Sequence, residues 1–207
     1  MLTKNVRWSG STSDDAPVVV LLHGRGSNEN EMGSLADLIT PHFAVAAVRG
    51  PVVLGPNQFT WFENRGIGRP VPESLRTSID WFRAWLDEVT GERSVALVGL
   101  SGGTAFAAGC VLDDPSRFAG GALLYGTVPF DAGVPTTPGR LAGVEILHAQ
   151  GLDDQVMPRD LMERTWTYLT EESGANLEAC RTNGGHVIAP EVLTALHDWL
   201  ERILVVS

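Results

Sequence analysis

The chain has 207 residues, 43% of them hydrophobic and 19% charged, which suits one folded domain over residues 1–207 and excludes a disordered polymer. Its 25 acidic and 15 basic residues leave a formal net charge of −10, a surface that repels polyanions and argues against nucleic acid as a partner. Two cysteines, Cys110 and Cys180, make no metal or redox motif and cannot found a disulfide framework, so reduced thiols in the cytoplasm are the expectation.

In chain order, residues 1–15 contain no apolar stretch fit for a signal peptide, and no apolar run anywhere is long enough to span a bilayer. The first strand is expected over residues 18–23. A helix over 28–39 follows, opened by an Asn28/Glu31 pair that resembles a capping box. Residues 43–48 read as a second strand, and the Gly- and Pro-rich stretch 58–71 as a loop near the open edge of a sheet. The helix expected over 73–89 carries Leu75, Ile79, Phe82 and Leu86 on one stripe, with Trp81 and Trp85 beside it, a core-facing pattern. Strand 95–100 and helix 102–112 come next, then strand 121–125, a second irregular stretch over 126–143, and strand 144–149. A helix over 160–172, a strand over 177–181 and a helix over 191–204, preceded by Pro190, complete the chain. The strands are mostly continuous apolar runs, as expected where helices cover both faces. The alternation predicts an α/β fold with a mostly parallel, doubly wound sheet flanked by helices through right-handed crossovers. The apolar tail Ile203-Leu204-Val205-Val206 suits packing either on the body or against a partner subunit, a homodimer included.

The most informative stretch is VALVGLSGGTAFAAG, residues 95–109. An apolar run ends in Gly99-Leu100-Ser101-Gly102-Gly103 and gives way to a small-residue helix, so Ser101 stands at a tight strand-to-helix corner. The glycines remove side chains that would clash there, and the helix N-terminus favours developing negative charge beside the hydroxyl. Such a serine needs a base, and the base needs an acid to fix its tautomer. His186, in Asn183-Gly184-Gly185-His186 between the last strand and last helix, falls at the same carboxyl edge of the sheet. His23 suits a structural place beneath the loop that follows it, His148 a packed position in the core, and His42 and His197 the surface or flanks. For the acid, residues 151–158 (GLDDQVMP) follow another strand, and either aspartate could serve. Asp154, framed by Gly151 and Pro158, is preferred to Asp153. The order Ser101, Asp154, His186 is that of the α/β-hydrolase arrangement. Oxyanion donors are expected from the backbone N–H of Gly102 and, in His23-Gly24-Arg25-Gly26, from that of Arg25.

Together these residues resemble the phospholipase/carboxylesterase group of α/β-hydrolases, serine esterases without a separate lid domain. Leu21-Leu22-His23-Gly24-Arg25-Gly26 resembles that family's oxyanion loop, Trp61-Phe62 its aromatic pair near the pocket, and Gly99 to Gly103 its nucleophile turn. Residues 151–158 resemble its acid loop, and Gly185-His186 precedes a similar last helix. Two positions depart from the common pattern: Gly102 stands where many members have Gln, and Gln150 where many have His. The resemblance implies hydrolysis of small-molecule carboxylic esters or thioesters without metal or organic cofactor, through an acyl-enzyme on Ser101. It also implies that Trp61 and Phe62 line the acyl side, although core aromatics would look the same in sequence. A carboxylesterase of small to medium acyl esters is the leading expectation. An acyl-protein thioesterase or lysophospholipase would use the same three residues, and a non-catalytic ligand-binding hydrolase fold is the alternative of a different class.

Overall fold

The computed structural model describes residues 5–39 and 42–204, apart from the side chains of Asp37 and Leu38; Val205 and Val206 of the apolar tail therefore lie outside the described residues. Seven strands form the main sheet: β1 (Val6–Gly10), β2 (Val18–Leu22), β3 (Ala44–Val48), β8 (Val95–Leu100), β9 (Gly120–Leu124), β10 (Glu145–Gly151) and β11 (Asn176–Thr182). Two small hairpins, β4 (Val52–Gly55) with β5 (Gln58–Thr60) and β6 (Asn64–Gly66) with β7 (Arg69–Pro70), stand apart from it. The helices are α1 (Glu29–Met32), α2 (Pro72–Thr90), α3 (Gly102–Asp113), α4 (Arg159–Thr167) and α5 (Pro190–Leu204).

The spatial order is β1-β3-β2-β8-β9-β10-β11. Every pairing is parallel except that of β1 with β3. The chain therefore winds outward from β2 to β3, returns across it to β8, and continues the other way. Strand direction of travel reverses between β2 and β8, and loops leaving the carboxyl ends of those two strands border one crevice. Both sheet faces are covered. Trp61, Ile79, Phe82, Phe106 and Tyr168 pack on one face and Trp199, Leu196, Leu147 and Phe43 on the other. Helix α3 is buried all round, because Ala105, Ala107 and Ala108 let it lie close to the sheet while Phe106 stacks on Trp61 at 4.5 Å. No helix among the described residues is long and apolar enough to cross a membrane.

Four segments differ from the sequence expectation, each for a local reason. Strand β1 went unread because Val6-Arg7-Trp8-Ser9 is half exposed and lacks an apolar run; it is held as an antiparallel edge by the register Val6 to Val48. The expected loop over residues 58–71 instead folds its second half into the β6–β7 hairpin, with β5 contributing to the one before it. Helix α1 lasts one turn, capped by Asn28 Oδ1, which accepts from the N–H groups of Asn30 and Glu31, and then tightens into a 3₁₀ stretch from Gly33 to Leu38. Past Thr167 the α4 helix widens to a π turn, where Ser173 N–H reaches back to Tyr168 C=O at 2.7 Å and both Tyr168 and Leu169 stay buried.

Candidate active site

Ser101 sits between β8 and α3 with φ 56 and ψ −115, a left-handed conformation that a non-glycine residue adopts only when its surroundings impose it. Three contacts impose it. Ser101 N–H donates to Leu124 C=O at 2.9 Å. A Cβ on Gly99 would stand 2.3 Å from Gly103 C=O, and one on Gly103 would stand 2.0 Å from Leu22 C=O. The flanking glycines are thus required by close backbone approach, not by positive φ: neither is among the residues with φ above zero. Thr104 Oγ1, within reach of both Gly99 C=O (2.8 Å) and Leu124 C=O (2.6 Å), ties the first turn of α3 back to β8 and β9.

The hydroxyl so placed meets the imidazole of His186, with Ser101 Oγ and His186 Nε2 2.8 Å apart. On the far side of the ring, His186 Nδ1 lies 2.7 Å from Asp154 Oδ2, whose side chain is only 1% exposed. Asp154 Oδ1 accepts from the backbone N–H groups of Val156 (2.8 Å) and Met157 (3.0 Å), so the carboxylate is fixed from both oxygens. Asp153 is exposed and takes part through its backbone alone, donating N–H to Gly184 C=O at 2.9 Å. That bond and the contact of Gly151, whose added Cβ would lie 2.2 Å from Gly185 C=O, lock the aspartate loop against the histidine loop.

The loop after β2 crosses in front of Ser101. An ideal Cβ on Gly102 would stand 3.1 Å from Arg25 N, so the two residues expected to supply the oxyanion donors lie side by side next to Ser101. Among the described residues neither N–H donates to a protein acceptor. Beneath the loop, His23 is fully buried; its Nδ1–H donates to Gly24 C=O (2.7 Å) and its Nε2 accepts from Gly50 N–H (2.9 Å). Burial pushes its pKa below the ordinary histidine value, so it stays a neutral strut. Trp61 is also wholly buried: its Nε1–H donates to His23 C=O at 2.8 Å and its ring stacks on Phe106. Trp61 therefore braces the loop from the core and does not touch the cleft, a correction to its expected place on the acyl side. Phe62 does line the cleft.

The cleft at Ser101 measures about 610 Å³. Phe62, Ala105, Ile67, Val156 and Met157 give it an apolar wall, and Arg25, Asn64 and Arg65 a polar one. No group of three or more His, Cys, Asp or Glu side chains among the described residues is placed to hold a metal ion.

One polar side chain of this region had escaped the sequence reading. Tyr125, at the end of β9 with φ 51, is buried, and its hydroxyl accepts from Ala189 N–H (3.1 Å) and contacts Thr182 Oγ1 (3.1 Å). Those two residues flank the His186 loop, and the Tyr125 ring meets the imidazole edge-on at 6.5 Å. Its only sequence signal was a tyrosine closing an apolar strand, which does not say what the hydroxyl holds.

The model of the phospholipase/carboxylesterase family matches residues 9–204, which takes in every element of the main sheet apart from the start of β1. The chain belongs to that family. MhqD of Bacillus subtilis (strain 168), named as a hydrolase, is 26% identical over 203 residues, covering 96% of this chain and 98% of the relative. The carboxylesterase SOBER1 of Arabidopsis thaliana is 30% identical over 145 residues, covering 67% of this chain and 63% of that protein. The crystal structure of the Bacillus cereus carboxylesterase superposes with a TM-score of 0.82 over 97% of this chain and 94% of its own, at 24% identity, a likeness of fold. With family membership comes the α/β-hydrolase sheet, and the relatives MhqD and SOBER1 are named as a hydrolase and a carboxylesterase.

Proposed function

We propose that the protein, acting as a single domain, is a serine carboxylesterase that hydrolyses small to medium acyl esters through an acyl-enzyme. The observation that carries this reading is the continuous chain Ser101 Oγ, His186 Nε2, His186 Nδ1, Asp154 Oδ2, with links of 2.8 and 2.7 Å. Asp154 accepts the Nδ1–H, which leaves Nε2 unprotonated and aimed at the hydroxyl. His186 takes the proton as Ser101 Oγ bonds to the acyl carbon. The carbonyl oxygen gains negative charge between the N–H groups of Arg25 and Gly102, at the positive end of α3. His186 then delivers the proton to the departing alcohol or thiol, and water repeats the sequence on the acyl-enzyme to release the acid. The open cleft of about 610 Å³, with its wall of Phe62, Ala105 and Met157, has room for a small to medium acyl group.

Hydrolysis of para-nitrophenyl acetate tests the reading. Ser101→Ala or His186→Ala should lower kcat by about 10⁴-fold or more, while a fluorophosphonate probe labels the parent chain at Ser101. Full activity in either variant, or labelling at another residue, rules the proposal out.

A further inference from the structure

The charge around the cleft runs against the charge of the molecule. A chain of net charge −10 carries 25 acidic side chains, yet no carboxylate lines the cleft among the described residues. Two arginines do, Arg25 on the loop after β2 and Arg65 in the β6–β7 hairpin. Asp154 lies behind the imidazole, its oxygens bonded to His186, Val156 and Met157, and does not line this cleft.

The two arginines are unusual in a second way. Elsewhere the guanidinium groups are held: Arg49 by Glu29, Arg69 by Asp160, Arg83 by Asp113 and Asp114, Arg164 by Asp131, Arg202 by Glu145 and Glu178. Others close on backbone carbonyls, as Arg140 does on Leu112 and Asp113. Among the described residues the arginines with no acceptor are Arg25, Arg65 and Arg159. Arg159, the first residue of α4, lines a smaller cleft of about 270 Å³ that shares Met157 with the catalytic one. All three lie at the same end of the sheet. A cationic rim on an acidic body focuses its field on the cleft mouth, and a guanidinium with its donors unoccupied offers them to an oxyanion in paired geometry.

We propose that the cleft selects esters or thioesters carrying an anionic group, a carboxylate or a phosphate, which Arg65 and Arg25 bind while Ser101 attacks the acyl carbon. This rests on the serine-hydrolase reading above and narrows its substrate class. The backbone N–H of Arg25 serves the oxyanion and its side chain the substrate anion, so one residue contributes to both. The anion is held without covalent change, and the reaction stays the addition of water across the acyl bond.

Matched para-nitrophenyl esters separate the two readings. The hemisuccinate ends in a carboxylate, the levulinate is its near-isosteric neutral counterpart, and the corresponding phosphono-terminated ester presents the other anion. For the parent chain, kcat/KM for one or both anionic esters should exceed that for the levulinate by about tenfold or more, the low end for charge-assisted hydrogen bonds, mostly through KM. The larger of the two advantages says whether carboxylate or phosphate is preferred. Raising the salt from about 0.05 to 0.5 M should shrink the advantage, since exposed guanidinium groups are screened. Arg65→Gln should reduce the ratio and Arg65→Glu should bring it below one, with fluorophosphonate labelling of Ser101 verifying that each variant is folded. A parent ratio at or below one, or a ratio indifferent to salt and to both Arg65→Gln and Arg25→Gln, overturns the anionic preference. Failure of the serine-hydrolase reading looks different: no ester is turned over, or Ser101→Ala retains hydrolysis of all three.

Discussion

Each side chain of the candidate site has a job that its surroundings define, and the two aspartates of residues 151–158 show how sharply. The Asp154 side chain is buried, with three hydrogen bonds to its two oxygens, while its exposed neighbour Asp153 contributes only backbone. Asp154→Asn should therefore cost about 10⁴-fold in kcat by leaving His186 in the wrong tautomer, whereas Asp153→Asn should stay within about tenfold of the parent. Steady-state ester hydrolysis distinguishes them, and equal losses would remove Asp154 from its role. Tyr125 touches no substrate and positions His186 through Ala189 and Thr182. Removing its hydroxyl by Tyr125→Phe leaves the Ala189 N–H without that acceptor and loosens the histidine loop. The expected result is a kcat lower by about tenfold with KM nearly unchanged, since misplacing a reacting group slows chemistry more than binding. A change confined to thermal stability would reduce Tyr125 to a packing residue. The convergence of Ser101, Asp154 and His186 was legible because Ser101 directly follows an apolar run, while Asp154 and His186 stand a few residues past the ends of their strands in loops marked by glycines. The place of Tyr125 was not, because its partners are a backbone amide 64 positions away and a threonine 57 positions away.

Continuous apolar runs made the parallel strands legible, and their shared carboxyl edge made the convergence of three loops legible with them. What stayed hidden was β1, which exists because β3, distant in sequence, offers an edge, and the local β6–β7 hairpin, which closes a segment with no alternating apolar pattern. Trp61 illustrates the same limit, since only its bonds to His23 and Phe106 distinguish a brace from a pocket wall. Loops that are irregular by pattern are nonetheless packed to contact distance. Gly151, the last residue of β10, meets the histidine loop in this way: an added Cβ would stand 2.2 Å from Gly185 C=O and 2.7 Å from Gly184 C=O. Backbone cannot yield as the end of a side chain can, so Gly151→Ala should force the aspartate and histidine loops apart. Overpacking of this kind costs about 1–3 kcal/mol of stability. Here it should also lower kcat, because Asp154 and His186 stand on the two loops being separated. Urea denaturation and ester hydrolysis measure the two effects, and a variant normal in both would show that the loops adjust independently.

The acidic balance of the chain and its buried imidazoles together set how it responds to pH. His148 lies in β10 with no exposed surface; its Nδ1–H donates to Leu123 C=O at 2.7 Å and its Nε2 has no hydrogen-bond partner. Burial pulls its pKa from 6.5 to about 4, the bond to Leu123 opposing and nearby Arg181 assisting. His23, buried beneath the loop after β2, is shifted in the same direction. In the unfolded chain both titrate near 6.5, so between about pH 6.5 and 4 the unfolded state binds more protons than the folded one. Stability is then greatest above the unfolded value and falls as the pH drops through this window, by up to about 3 kcal/mol for His148 alone. Glu29, held below its ordinary value because the hydrogen bond and charge of Arg49 outweigh the cost of burial, also favours the fold at higher pH, but its contribution is lost only nearer the carboxylate range. Urea midpoints at about pH 8, 6 and 5 should therefore decline before carboxylates begin to protonate. His148→Gln should flatten that decline even if it lowers stability at pH 8. A midpoint that holds steady or rises from pH 8 to 5 would mean that the fold accepts a charged imidazole at residue 148, against what the burial of the ring and its unpaired Nε2 imply.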